Sequence, residues 1–407
     1  MLDKNIIYVV PEFPKLSETF VISDLFGLLE NGFKVEIFSL RKPAKPNEGL
    51  PYNVNLKITY LYDSALSSVL RANLRIIITR PQLYLHAVSY LFSDFFSNIR
   101  IKKSPFGLFY RFFFAALIAS RAKHNGTVGI HAQFAHVAAD IAMYAGALSK
   151  TPFSFTAHAN DLYENAWLLR EKISRSAFSV TISEYNKKYM SAVSGCPEKI
   201  RVVRCGISIK KVDLKKGYDL NQPMRIGTVG RLVEKKGMAD LVSAMAILKL
   251  QGISVDLEIL GDGPLKGELQ ELARKIGVDN QVFFGGAFSH DHVLGWLCSL
   301  DAFALACKSS ATGDVDGIPV SLMEAMAAGV PVVSTQVSGI PELVTNNVNG
   351  LLVSPSRPYE LARAIRILAE SKNLREDFGR RGRATVLQRF TAEQCAAELA
   401  GVMAECY

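Results

Sequence analysis

Short apolar runs rich in β-branched residues alternate with helix-length segments along the whole chain, and this alternation constrains the fold more than any other feature. In the first half the runs are Asn5–Val10, Lys34–Leu40, Gly129–Phe134, Thr151–Ala157, Ala177–Ser183 and Ile200–Cys205. In the second half they are Met224–Gly230, Val255–Gly261, Val282–Gly286, Asp301–Cys307, Val330–Thr335 and Gly350–Ser354. Strands of this kind interleaved with helices predict parallel sheets covered on both faces. One series per half predicts two doubly wound α/β domains, and 407 residues exceed what one ordinary core holds. Gly206–Pro223 is rich in Lys, Asp and Gly, has no clear period and reads as a linker. The expected domains are therefore 1–205 and 224–389, with a terminal helix over Thr391–Glu405. Local signals agree with this reading. Ser17 is a suitable N-cap, Val21, Leu25, Leu28 and Leu29 share one helical face, and Asn31-Gly32 supplies a left-handed stop.

Composition narrows the class. Hydrophobic residues make up 49% and charged residues 21%, which is globular and not disordered. No stretch of about 18 uncharged apolar residues exists, so no spanning helix is expected. Met1–Val10 reads as a first strand and lacks the features of a signal peptide, which predicts a cytoplasmic protein. The six cysteines, Cys196, Cys205, Cys298, Cys307, Cys395 and Cys406, form no C-x-x-C pair and no zinc spacing, as expected of free thiols in a reducing compartment. Residues 1–200 hold 23 Lys+Arg against 15 Asp+Glu (+8), and residues 201–407 hold 24 against 23 (+1). Only the first domain is therefore expected to meet an anionic partner: a phosphorylated acceptor, an anionic membrane surface or nucleic acid. No nucleic-acid-binding motif supports the last. Residues 83–120 are dense in Phe and Tyr, interrupted by Arg100, Lys102, Lys103 and Arg111. This pattern fits either a buried helical hairpin or a segment at the water–lipid boundary at the inner face of the membrane.

The chemistry concentrates at expected strand ends, where open α/β sheets bind ligands. The run from Gly227 to Gly237 begins as a strand and ends in a glycine that opens a helix. Gly230 lets the backbone approach a diphosphate closely, and Arg231 and Lys236 can neutralise charge on a departing phosphate. A second run holds Asp316, Gly317, Ile318 and Pro319, then Glu324 eight positions after Asp316 and Gly329 at the helix end. A buried carboxylate at Glu324 can accept both hydroxyls of a ribose, and Asp316 can face a sugar. Asp262, Gly263 and Pro264 make a tight turn on the base side, and Ser338–Glu342 could offer backbone amides to phosphate.

Taken together these residues resemble glycosyltransferase family 4, the retaining GT-B enzymes, and especially its bacterial exopolysaccharide and lipopolysaccharide members. The family's mark is two acids eight apart before EAMA-x-G-x-PVV, and this chain carries EAMAAGVPVV in full. It departs at the first acid, which is usually Glu and here is Asp316, one methylene shorter. Phe155–Tyr163 looks like the family's TxHAxDxY segment, in which His158 faces the donor sugar and reaction centre. Ile130–Ala135 is similar to HAHFA, with Gln133 in place of the second His, and Phe13–Phe20 looks like the PxxSETF segment of polysaccharide-assembly members.

The resemblance implies a GT-B fold: two Rossmann-like domains with parallel sheets facing across a cleft, and a helix over 390–407 packing back on the first. It implies a nucleotide-diphosphate-sugar donor and a saccharide acceptor, taken as lipid-linked from the SETF likeness and the basic aromatic segment, with a hexosyl group transferred. His158, Asp316, Arg231 and Lys236 would be catalytic, Glu324 the ribose ligand, and Ser17, Glu18, Thr19, His131, Asn160 and Asp161 would face the acceptor. His136, His290 and His292 are expected to be structural or surface residues. Asp314-Val-Asp316 has the D-x-D form that binds a divalent cation elsewhere, but Arg231 and Lys236 already supply positive charge, so neither metal nor other cofactor is expected. His131 and His136 are five apart and not the i, i+4 of a zinc helix. Competing classes are an epimerase or phosphorylase on the same architecture, or a non-catalytic lipid- or nucleic-acid-binding protein.

Overall fold

A computed structural model describes residues 4–15, 18–43, 56–98, 106–163, 167–215, 217–218 and 223–407. The chain divides into two compact units, Met1–Cys205 with Ala392–Tyr407, and Gly206–Thr391. Each is built on a wholly parallel sheet.

The first unit has strands β1 (Lys4–Glu12), β2 (Phe33–Arg41), β3 (Ile58–Tyr60), β4 (Gly129–Gln133), β5 (Phe153–Ala157), β6 (Phe178–Thr181) and β7 (Ile200–Val202). They lie in the order β3-β2-β1-β4-β5-β6-β7. Its helices are α1 (Thr19–Glu30), α2 (Leu66–Thr79), α3 (Pro81–Asn98), α4 (Gly107–His124), α5 (Val137–Ser149), α6 (Ala159–Tyr163), α7 (Leu169–Arg175) and α8 (Glu184–Ser194). Successive side chains of a strand point to opposite faces, and β1 is apolar on both. Ile7 and Val9 enter the core shared with α2, α3, α4 and α5, whereas Ile6, Tyr8 and Val10 enter the core shared with α1. The edge strand β3 was not expected; three residues are too few to show a period.

Helices α3 and α4 occupy the aromatic stretch 83–120 and divide its residues between two environments. Ala87, Leu91, Leu108, Phe112 and Phe114 are buried, while Phe92, Phe96, Phe106, Tyr110 and Phe113 are exposed. Asn73 of α2 ties the three helices together: its amide donates to the Phe113 carbonyl at 3.0 Å, and the Tyr84 hydroxyl donates to its Oδ1 at 3.2 Å. Arg111 pairs with the buried Asp140 at 2.6 Å, whereas Arg100, Lys102 and Lys103 lie outside the described residues. No described helix is long and apolar enough to cross a membrane.

The second unit has strands β8 (Met224–Val229), β9 (Val255–Leu260), β10 (Val282–Gly286), β11 (Ala302–Leu305), β12 (Val332–Thr335) and β13 (Leu351–Val353), in the order β10-β9-β8-β11-β12-β13. Its helices are α9 (Met238–Leu250), α10 (Lys266–Lys275), α11 (His290–Leu297), α12 (Val320–Ala327), α13 (Ile340–Leu343), α14 (Pro358–Glu370) and α15 (Lys372–Arg389). The described part of Gly206–Pro223 makes contacts within this unit: the Lys215 N–H donates to the Ala328 carbonyl at 2.9 Å and the Tyr218 hydroxyl to the Gly329 carbonyl at 2.6 Å. The final helix, α16 (Ala392–Cys406), belongs to the first unit and adds Leu399, Ala400 and Met403 to the core beside α1. A Cβ on Gly27 of α1 would overlap the Ala396 side chain, so glycine there sets the close approach of the two helices.

Candidate active site

In the second unit the strand order reverses between β8 and β11, which pair side by side. The crevice beyond the carboxyl ends of such a strand pair is where open α/β sheets bind ligands. The loop after β8 carries Gly230, Arg231 and a short 3-10 turn over Glu234–Lys236 before Gly237 opens α9. A Cβ on Gly261 would overlap the Gly230 carbonyl, and one on Gly263 the Leu232 backbone, so the loops after β8 and β9 meet backbone to backbone. Asp262 and Pro264 are exposed, and the Asp262 Oδ1 accepts the Gly263 N–H at 2.8 Å within the turn itself.

The lysine stem lies against Gly230: a Cβ built there would sit 3.4 Å from Lys236 Cε. Lys236 Nζ reaches Asp316 Oδ2 at 2.6 Å, and Lys235 Nζ reaches Asp314 at 2.7 Å and Asp316 at 3.4 Å. These pairs clasp the loop after β8 to the loop between β11 and α12. Burial works to raise the Asp316 carboxyl, but the Lys236 and Lys235 ammoniums outweigh it and hold the group below its ordinary value. Burial likewise works to lower the Lys236 amine, and Asp316 outweighs it, leaving that pKa raised. Both members stay charged at neutral pH. Each carboxylate of the D-x-D segment thus faces an ammonium, a poor donor set for a divalent cation. Among the described residues no group of three or more His, Cys, Asp or Glu could hold a metal ion. Arg231 is exposed and has no ion-pair partner among the described residues.

Asp316 is followed by Gly317, the buried Ile318 and Pro319, which stands at the N-cap of α12, and Gly329 at φ 77° follows its end. Glu324 is only 6% exposed on α12. Its Oε1 is bonded to His290 Nε2 at 2.7 Å. His290, expected to be a structural or surface residue, is exposed at the start of α11, after the Ser289 N-cap, and engages the helical carboxylate. Spacing gave no sign of this, since the two residues are 34 apart and join different strands to different helices. His292 stacks on Phe288 at 4.2 Å and is peripheral to the carboxylate. Ser338, after β12, holds a left-handed φ of 52°, and its buried Oγ has no partner among the described residues.

In the first unit the reversal lies between β1 and β4, and the polar residues gather at the matching end. His158 follows β5, and its ring lies between Phe20 (4.6 Å) and Phe134 (5.0 Å). Its Nε2 meets Gln133 Oε1 at 3.2 Å. The Gln133 amide nitrogen donates to Asp24 Oδ2 at 2.9 Å and to the Tyr8 hydroxyl at 2.5 Å. That orientation leaves the Gln133 oxygen as an acceptor, so His158 carries its proton on Nε2. Burial pushes His158 down to about 3, which keeps the ring neutral, and pushes Asp24 up to about 7. Tyr8 and Asp24 carried no motif that would have marked them.

Two residues assigned to the acceptor turn inward instead. His131 is fully buried; its ring nitrogens bond to Ser154 Oγ at 2.7 Å and Thr156 Oγ1 at 3.0 Å, which leaves it nothing to offer a ligand. Asp161 is 1% exposed, and its carboxylate accepts the backbone N–H groups of Ala135 and of His158, the latter at 2.7 Å. It shapes the turn that carries His158. Asn160 is exposed, and Glu18 pairs with Lys15 at 2.6 Å. Thr19 begins α1, whose N-cap position is Glu18 and not Ser17, and Ser17 lies outside the described residues. His136 stands at the N-cap position of α5 without a side-chain cap bond and stacks on Phe134 at 5.2 Å.

Residues 213–385 match the family model of glycosyl transferases group 1. The amylovoran biosynthesis glycosyltransferase AmsK of Erwinia amylovora is 41% identical over 179 residues, a match spanning 44% of each chain. The putative colanic acid biosynthesis glycosyltransferase WcaL of Escherichia coli K12 is 29% identical over 372 residues, 87% of this chain and 88% of that one. Among solved structures, Anabaena HepE in complex with UDP superposes with a TM-score of 0.74 at 17% identity, covering 99% of this chain and 100% of that one. The fold is GT-B.

Proposed function

We propose, from the match of residues 213–385 to the glycosyl transferases group 1 model, that the chain is a member of that family and transfers a hexosyl group from a nucleoside-diphosphate sugar to a saccharide acceptor with retention of anomeric configuration. The acceptor is an intermediate of bacterial surface-polysaccharide assembly, in keeping with what the relatives AmsK and WcaL are named for. We take it to be lipid-linked and the enzyme to work peripherally at the inner face of the cytoplasmic membrane. The exposed aromatics of α3 and α4 and the +8 charge of residues 1–200 support that reading.

The observation that carries the proposal is the clasp of Lys236 and Asp316, 2.6 Å apart, at the strand reversal of the second sheet. A half-buried ammonium above a glycine backbone is a preorganised site for a diphosphate. The donor's phosphates replace Asp316 as the partner of Lys236, with Arg231 adding the second positive charge and Gly230 and Ser338 flanking them. Asp316, released, turns to the sugar hydroxyls together with Gly317, Ile318 and Pro319. Glu324 accepts the ribose hydroxyls, and the turn Asp262-Gly263-Pro264 borders the base.

Two cations neutralise the departing phosphate, so the reaction needs no divalent metal. The acceptor hydroxyl attacks from the face on which the diphosphate leaves, and catalysis rests on positioning and electrostatics. His158, neutral at pH 7, orients the sugar by hydrogen bonding and does not act as a general base. Glu18 and Asn160 would contact the acceptor.

A panel of UDP- and GDP-sugars, screened by thermal shift, identifies the donor, because a ligand that binds only the folded state raises the melting temperature. With that donor, Lys236→Ala and Glu324→Ala should each lower transfer by about 100-fold or more without unfolding the free protein. Near-normal turnover in both would refute the site. Conversion of donor without acceptor would instead mark an epimerase.

A further inference from the structure

Helix α2 has two apolar faces, and among the described residues only one is covered. Val69, Ala72 and Ile76 are buried against the first unit. Leu66, Leu70, Leu74 and Ile78, spaced four apart, are 67%, 55%, 57% and 70% exposed. Single exposed aliphatics are ordinary; a four-membered stripe at helical spacing is a surface. Arg71 and Arg75 follow Leu70 and Leu74 by one position, and neither has a carboxylate partner among the described residues. Arg71 bonds only to its own helix, at the Ser67 carbonyl and the Ser68 hydroxyl.

The charge of the surroundings selects the occupant. Residues 64–124 contain nine Lys or Arg and one acid, Asp94; Arg100, Lys102 and Lys103 lie outside the described residues, and Arg111 and Arg121 are paired with Asp140 and Glu36, which leaves Arg71, Arg75, Arg80 and Lys123 without a carboxylate partner among the described residues. Asp94 is fully buried and bound to Arg175 at 2.8 Å, so none of these residues adds a negative charge to the surface. A second copy of the chain would bring like charges together. An acidic protein would match the arginines but gives the aliphatic stripe no acyl phase to enter. An anionic lipid surface meets both, with the stripe in the acyl boundary and the guanidiniums at the headgroup phosphates.

We propose that α2 is the docking helix of this protein and lies in the interface of an anionic phospholipid membrane. The proposal rests on the reading that the enzyme works at such a membrane, and adds the element that binds it. The sequence left residues 83–120 open between that role and a buried helical hairpin; the exposed stripe of α2 lies just before them.

The test is co-sedimentation of the whole protein with phosphatidylcholine vesicles, with and without phosphatidylglycerol. The wild type should bind the mixed vesicles and bind pure phosphatidylcholine far less. Leu70→Glu with Leu74→Glu, both at exposed positions, should lower binding to mixed vesicles by about tenfold or more. Arg71→Ser with Arg75→Ser should weaken it several-fold and flatten its dependence on salt. Unchanged melting temperature and donor-induced thermal shift in these variants establish that fold and donor site are intact. Wild-type-like binding by the leucine double variant overturns the assignment to α2 while leaving membrane association standing. Absence of wild-type binding to the mixed vesicles overturns both. Self-association abolished by the same variant, with vesicle binding unaffected, makes the stripe a contact between copies and also overturns the proposal.

Discussion

Asp316 and Glu324 are carboxylates eight positions apart, yet their partners differ in kind: two lysines for one, a histidine for the other. The difference leads to a prediction about His290. A buried carboxylate deprived of its hydrogen bond is costly, so His290→Ala should weaken donor affinity by about tenfold, and His290→Gln, which keeps a donor, should restore part of it. Titration calorimetry with the donor checks this; unchanged affinity in His290→Ala would show the bond to be incidental. Asp24 has a different signature. Its pKa of about 7 in the folded chain lies above its unfolded value, so the folded state binds the proton more tightly. Its contribution to stability therefore falls as pH rises from about 4 to about 7 and is level above that. Tyr8 and Gln133 face it, and Asp161, also raised to about 7, slopes the same way. Asp24→Asn should flatten this slope in denaturant titrations at a series of pH values; an unchanged profile would assign the proton elsewhere. At this scale the sequence was informative where a motif fixed the role and poor where packing did. Lys236 and Glu324 were singled out by a glycine–cation run and by a carboxylate in an apolar helix, and the structure sets the one against Asp316 and the other against His290. His131 and Asp161 stood in equally suggestive segments, but strand register turned one into the core and a tight turn consumed both oxygens of the other.

Among the elements, the strands were easiest to foresee, because a strand buried on both faces is a continuous apolar run whatever its neighbours. The three-residue β3 escaped that signal. The α2 stripe escaped for the opposite reason. Periodicity shows that a helix has apolar faces but not which of them the fold covers. The turn into α9 carries the sharpest prediction at this scale. Gly237 has a left-handed φ of 64°, and a Cβ there would overlap the Ala306 carbonyl. Gly237→Ala should cost about 1–2 kcal/mol for the backbone alone and more for the collision. It should also displace Lys236 next to it, so donor affinity should fall with stability. Denaturant unfolding and donor binding on the same preparation test this; loss of neither would mean that the turn relaxes without moving the lysine.

For the molecule as a whole, the alternation of strands and helices sufficed to foresee two parallel sheets, and each strand order, 3-2-1-4-5-6 with a seventh strand in the first, places its reversal beside the polar residues. Chain order did not reveal that the described part of Gly206–Pro223 adheres to the second unit through Lys215 and Tyr218, because isolated hydrogen bonds have no period. Under the proposed function, the loop after β8 and the loop entering α12 hold one nucleoside diphosphate between them. Hydrogen exchange with and without the nucleoside diphosphate of the donor found by thermal shift tests it most directly. Amides across 230–237 and 317–325 should slow together, over the same ligand concentrations. Protection of only one segment, or of neither, would contradict the account.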